Sequence, residues 1–112
     1  MFLGNGWQPE GMAPEEIFKA LAAPQRQQIL RLVRDEPLSV GEIAKECDAS
    51  QQAVSHHLQI LKEAGLLVVR RDGQRRLYLV DPDGFESVGA FVAELWPSGL
   101  ARLKATIEER QP

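Results

Sequence analysis

The stretch from Leu66 to Val80 constrains this chain most. Leu66–Arg71 and Leu77–Val80 are rich in strand formers, and Asp72-Gly73-Gln74 between them is a turn signal. The pattern predicts a two-stranded hairpin with Arg70 and Arg71 before its tip and Arg75 and Arg76 after it. Periodicity elsewhere is helical, so the question is how helices surround one hairpin.

Pro14 suits the first position of a helix, and Glu15 and Glu16 suit the positive end of its dipole. Ile17, Ala20 and Leu21 give that helix an apolar stripe. Pro24 ends it and opens a second helix, which carries Ile29, Leu30, Leu32 and Val33 inward and stops at Asp35-Glu36-Pro37. Ser39-Val40-Gly41-Glu42 is a capping box for a short helix with Ile43 and Ala44 inside, fading near Asp48. Ala49-Ser50-Gln51 begins a fourth helix, reaching about Ala64, and Gly65 is placed to close it in the left-handed conformation.

After the hairpin, Asp81-Pro82 caps and starts a last helix, with Phe85, Val88, Phe91, Val92 and Leu95 at helical spacing. Pro97 must kink or break it after Trp96, and a further amphipathic stretch runs through Leu100, Leu103 and Ile107. The order α-α-α-α-β-β-α is mainly α with a small β-hairpin, a winged helix-turn-helix. One domain is expected over 14–110, preceded by a flexible arm over 1–13 that holds Trp7 and Met12.

The chain has 112 residues, 44% of them apolar, enough for one packed core. Its one cysteine, Cys47, cannot form an intrachain disulfide and reads as a small buried hydrophobe. The apolar run Leu66–Val69 is far too short to span a membrane, and MFLGNGWQPEG does not read as a signal peptide, so a cytoplasmic location is expected. The net charge of −3 is uneven. Ser50–Val80 holds Lys62, Arg70, Arg71, Arg75 and Arg76 against Glu63 and Asp72, a local +3 that leaves −6 on the remainder. A basic working face on an acidic body suits DNA.

On the helix from Ser50 to Ala64, steps of about 100° gather Val54, Leu58 and Leu61 on one side and Gln52, Ser55, His56 and Gln59 on the other. That polar face has no acid, and its side chains can both donate to and accept from base edges. Beside an arginine hairpin it reads as a recognition helix. Alternation along the strands sends neighbouring arginines to opposite faces, so about two of the four face DNA together, holding phosphates or entering a minor groove.

Ile17-Phe18-Lys19-Ala20-Leu21-Ala22, then Pro24-Gln25-Arg26 and Ile29-Leu30, resemble the opening of ArsR-type repressors. So do Ser55-His56-His57-Leu58, Leu61-Lys62-Glu63-Ala64-Gly65-Leu66, and the wing residues Arg71-Asp72-Gly73-Gln74 with Tyr78. The resemblance spans roughly Pro14 to Val80. It implies a dimeric repressor on a near-palindromic operator of double-stranded DNA, paired through its first and last helices. The apolar residues there are Ile17, Leu21, Phe85, Val88, Phe91, Val92, Leu95, Trp96, Leu100 and Leu103. DNA contacts are expected from Ser50, Gln51, Gln52, Ser55, His56 and Gln59 on the helix, and from Arg70, Arg71, Gln74, Arg75 and Arg76 on the wing. His57 joins them at the edge of the apolar face, with a structural or phosphate-contacting role favoured.

Many ArsR relatives sense metals, but the thiol positions of their third-helix site fall on Ser39, Gly41 and Ala44, and the final helix has no histidine for their second site. No metal and no cofactor are expected; a small-molecule or protein effector is left open. No catalytic constellation or phosphate loop is present in the sequence, so no enzyme is expected. The alternative is a winged-helix module that docks a protein and has no specific DNA binding, which the net charge favours slightly.

Overall fold

In the computed structural model, residues 14–109 are described; the expected arm over 1–13 lies outside them, as do the side chains of Leu100 and Leu103. The elements are α1 (Pro14–Leu21), α2 (Pro24–Asp35), α3 (Val40–Cys47), α4 (Gln51–Glu63), β1 (Leu67–Asp72), β2 (Arg75–Val80), α5 (Pro82–Leu95) and α6 (Gly99–Glu109). The last helix of the sequence reading is therefore two. Pro97 cannot continue the ladder, and α5 ends at Trp96, whose N–H still bonds the Val92 carbonyl at 2.9 Å.

Local chemistry sets the boundaries. Pro24 occupies the first turn of α2, after Ala23, which offers no side-chain cap. The α3 capping box forms in full: Ser39 Oγ accepts from the Glu42 N–H at 3.2 Å, and Glu42 Oε1 accepts from the Ser39 N–H at 2.9 Å. Asp48 ends α3 at φ 52°, an αL position that its short polar side chain tolerates and the sequence reading did not assign. Gly65 follows α4 at φ 78°, as the sequence predicts.

The core lies where α1–α4 converge on the root of the hairpin. Ile29 and Val33 of α2, Ile43 of α3, and Val54, Leu58 and Leu61 of α4 are buried with Ile17, Ala20, Leu66 and Leu67. A lone hairpin is marginal in water, and this one leans on the core through Leu67, with Tyr78 and Val80 packed against it. It also gains a short third partner. Leu38, between α2 and α3, donates to the Tyr78 carbonyl at 3.1 Å and accepts from the Tyr78 N–H at 2.8 Å.

The hairpin turn is tighter than its sequence signal. Asp72 pairs with Arg75, leaving a two-residue loop of Gly73 and Gln74. Gly73 has φ 68° and Gln74 has no positive φ, the pattern of a loop with glycine at its first central position.

The start of α5 presses on the α4–β1 junction. The Asp81 N–H donates to the Leu66 carbonyl at 2.9 Å, and a methyl group on Gly84 would collide with the carbonyl of Gly65. Among the described residues no helix is long and apolar enough to cross a membrane.

Candidate nucleic-acid interface

Helix α4 stands on three apolar side chains, Val54, Leu58 and Leu61, each 2% exposed or less. Anchoring that face turns Gln51, Gln52, Ser55, His56 and Gln59 outward, and all five are exposed. Ser50 precedes them as the N-cap, its Oγ accepting from the Ala53 N–H at 3.0 Å. No acid occupies the first turn of α4, so its positive dipole end is not neutralised locally. Gln51 lies near the start of α3: a Cβ on Gly41 would stand 3.4 Å from its Nε2. The acid-free surface ends at Gln59, whose Nε2 donates to Glu63 Oε2 at 2.8 Å.

The two histidines separate. Their rings lie 5.8 Å apart at 56°, but His56 is exposed whereas His57 is half-buried. His57 Nδ1 is 3.2 Å from an Arg26 guanidinium nitrogen; as arginine has only N–H groups to offer, the ring is the acceptor and neutral at this nitrogen. Partial burial, then the charges of Arg26 and His56, hold its pKa below the usual histidine value.

Arg26 is a residue that sequence reasoning missed. Its Nε donates to the Ala20 carbonyl at 2.7 Å and another of its nitrogens to the Lys19 carbonyl at 3.2 Å. One side chain thus bonds two carbonyls at the end of α1, where the Lys19 carbonyl also accepts from the Ala22 N–H, and touches α4. Its place just past Pro24 and the helix before it were visible in the sequence; that its side chain reaches back to that helix and across to His57 was not.

Strand register sorts the wing arginines. Arg71 faces Arg76 across the ladder, so these two share one face, while Arg70, opposite Leu77, and Arg75, opposite Asp72, point to the other. Arg75 is engaged, donating to Glu42 Oε1 at 2.8 Å. The hydrogen bond from the Ser39 backbone does most to lower the Glu42 pKa; loss of solvent opposes it, and the Ser39 side chain and then Arg75 add to the lowering. The sequence marked Glu42 as half of a helix cap; it also ties the wing to α3. Among the described residues, Arg70, Arg71 and Arg76 have no ion-pair partner.

Of the other marked residues, Cys47 is half-buried and its pKa is raised by burial and by Glu46, which favours the unreactive thiol. Ile17 needs a correction as an interface residue. At 4% exposure it belongs to the chain's own core and has no surface left for a partner, and Phe18 takes the outward place. Phe18 meets Phe91 of α5, ring centroids 5.6 Å apart. Leu21, Phe85, Val88, Phe91 and Val92 are half-buried, while Leu95 and Trp96 are exposed.

A short helix and a polar-faced helix joined by a tight turn, followed by an arginine hairpin, define the winged helix-turn-helix class of DNA-binding transcription regulators. The helix-turn-helix domain family matches residues 21–70. The HTH-type transcriptional regulator Rv2034 of Mycobacterium tuberculosis is 36% identical over 88 residues, 79% of this chain and 82% of that protein. Among solved structures, the ArsR family transcriptional regulator RHA00566 superposes with a TM-score of 0.65 at 31% identity, over 75% of this chain and 96% of the other. The homodimeric winged helix-turn-helix DNA-binding domain Mb0332 of Mycobacterium bovis superposes with a TM-score of 0.57 at 31% identity, over 88% and 81%. The chain belongs to the ArsR family of transcriptional regulators.

Proposed function

We propose that this chain is a homodimeric repressor that reads a near-palindromic operator, each copy placing α4 in a major groove with its wing alongside. The observation that carries the reading is the exposed, acid-free row Gln52, Ser55, His56 and Gln59, fixed on a buried apolar seam beside an arginine hairpin. These side chains, with Gln51, approach base edges, and Ser50 sets the start of the helix. Arg71 and Arg76 hold phosphate from their shared face, with Gln74 at the tip. Arg75 braces the wing against Glu42 before any phosphate contact, Arg70 lies on the same face, and His57 acts through Arg26 rather than on bases.

Pairing uses the apolar face left by Leu21, Phe91, Val92, Leu95 and Trp96, with Phe85 and Val88 at its inner edge. The homodimeric relative supports this assembly. A two-fold dimer sets its recognition helices about 34 Å apart, one DNA turn. Repression is the sense that the ArsR resemblance implies.

The test is fluorescence anisotropy on the duplex upstream of the chain's own gene, against a scrambled duplex, across a salt series. Specific binding with a steep negative salt slope is expected, and Arg71→Gln with Arg76→Gln should flatten the slope by roughly one per lost phosphate contact. No binding to either duplex at low salt would overturn the reading in favour of a protein-docking winged helix.

A further inference from the structure

A cavity of about 370 Å³ opens between α2, the end of β2 and the first turns of α5. Its volume is within the range that holds small organic ligands. Leu30, Val80 and Phe85 give it an apolar floor, and Gln27, Arg31 and Arg34 line the same space. Gln27, Leu30, Arg31 and Arg34 follow helical spacing, so one face of α2 supplies both apolar wall and charged rim.

None of the six lining residues is acidic. Gln27 Nε2 donates to the Leu21 carbonyl at 2.7 Å, so part of its amide is engaged within the fold. Asp35 holds one edge of Arg34, Nε to Oδ1 at 3.2 Å, in an exposed pair that contributes little. Arg31 has no ion-pair partner among the described residues. Two guanidiniums one helical turn apart above a hydrocarbon floor call for a ligand with one anionic end and an apolar body. A carboxylate matches the planar fork of arginine; a free phosphate would satisfy the rim and leave the floor unfilled.

We propose that this cavity is a binding site for an amphipathic monocarboxylate, an aliphatic or aromatic acid whose head meets Arg31 and Arg34 and whose body lies on Leu30, Val80 and Phe85. The position gives such a ligand leverage. Val80 is the last residue of the wing, and Phe85 lies early in α5, the helix assigned above to pairing. Only that leverage rests on the operator reading; binding does not.

The experiment is isothermal titration of the full chain with octanoate, octan-1-ol and octylamine, with methyl NMR following Leu30 and Val80. Octanoate is expected to bind at least tenfold more tightly than octan-1-ol, octylamine more weakly still, and both methyl groups to shift. The double variant Arg31→Gln, Arg34→Gln changes only exposed side chains and should reduce octanoate to the affinity of octan-1-ol. Equal octanoate affinity in wild type and variant, or no binding at millimolar octanoate, would overturn the site. Binding confined to protein dilute enough to be monomeric would overturn it too, by giving the cavity to a second copy. No arm uses DNA, so failure of the operator reading would leave this result standing.

Discussion

Helices α4 and α5 are close in length and opposite in completeness. In α4 the apolar seam is spent inside the chain: Val54, Leu58 and Leu61 are almost wholly buried. In α5, fourteen residues long, no residue is fully buried, although its apolar side chains recur at the same helical spacing. Leu95 is 70% exposed and Trp96 just beyond it 48%. Soluble chains leave large apolar side chains exposed singly without consequence, but a contiguous strip marks a surface that another molecule covers. The contrast separates a helix whose apolar face is closed within the chain from one whose apolar face is left open, the face to which the pairing proposed above is assigned.

Four measurements would break or sharpen that contrast. The largest effect belongs to Leu61→Ala, which empties the best-buried position of α4 and should cost about 3 kcal/mol in denaturant unfolding; a loss under about 1 kcal/mol would deny α4 its anchoring role. Next is Gly84→Ala. Its methyl group would meet the Gly65 carbonyl, and the forced retreat of α5 should cost about 2 kcal/mol in a thermal melt. An unchanged melt would show that α5 docks loosely even at its start.

Smaller in energy is Leu95→Ala. It should leave the unfolding of dilute monomer unchanged and raise the dimer dissociation constant roughly fivefold in sedimentation equilibrium. Should it destabilise the monomer instead, α5 would have to be counted with the core. The smallest effect concerns His57. Because the fold depresses its pKa, the unfolded chain binds the proton first as pH falls. The contribution of neutral His57 is thus complete above the ordinary histidine range, near about 6.5, and fades as pH falls through it toward the depressed value. Wild type should lose stability from pH 7 to pH 5 more steeply than His57→Gln; parallel curves would remove the Arg26–His57 contact from the stability of α4.

Much of this was legible in the sequence because local chemistry and tertiary structure agree. The capping box at Ser39, the proline starts at Pro24 and Pro82, and the αL glycine at Gly65 all lie where short-range rules put them. The polar face of α4 was legible for the same reason: its apolar anchors repeat at helical spacing. What the sequence hid is what joins distant segments. Arg26 reaching back to Ala20 and across to His57, Glu42 shared between Ser39 and Arg75, and Leu38 pairing with Tyr78 have no periodic signature. Ile17 was misassigned by the same gap. A helix stripe shows that a residue points inward, not whether the inside belongs to one chain or two.

The pairing of Leu38 with Tyr78 has a mechanical consequence. Two hydrogen bonds at a single residue pair fasten the wing to the body at one point near its base, and the carboxylate of Glu42 steadies it further out through Arg75. The wing is therefore a lever with a pivot and a stay. On the operator reading proposed above, a phosphate that outcompeted Glu42 for Arg75 would release the stay and leave the root in place. The wing tip at Gly73 would then adjust to a groove without any change in the helices that bear it.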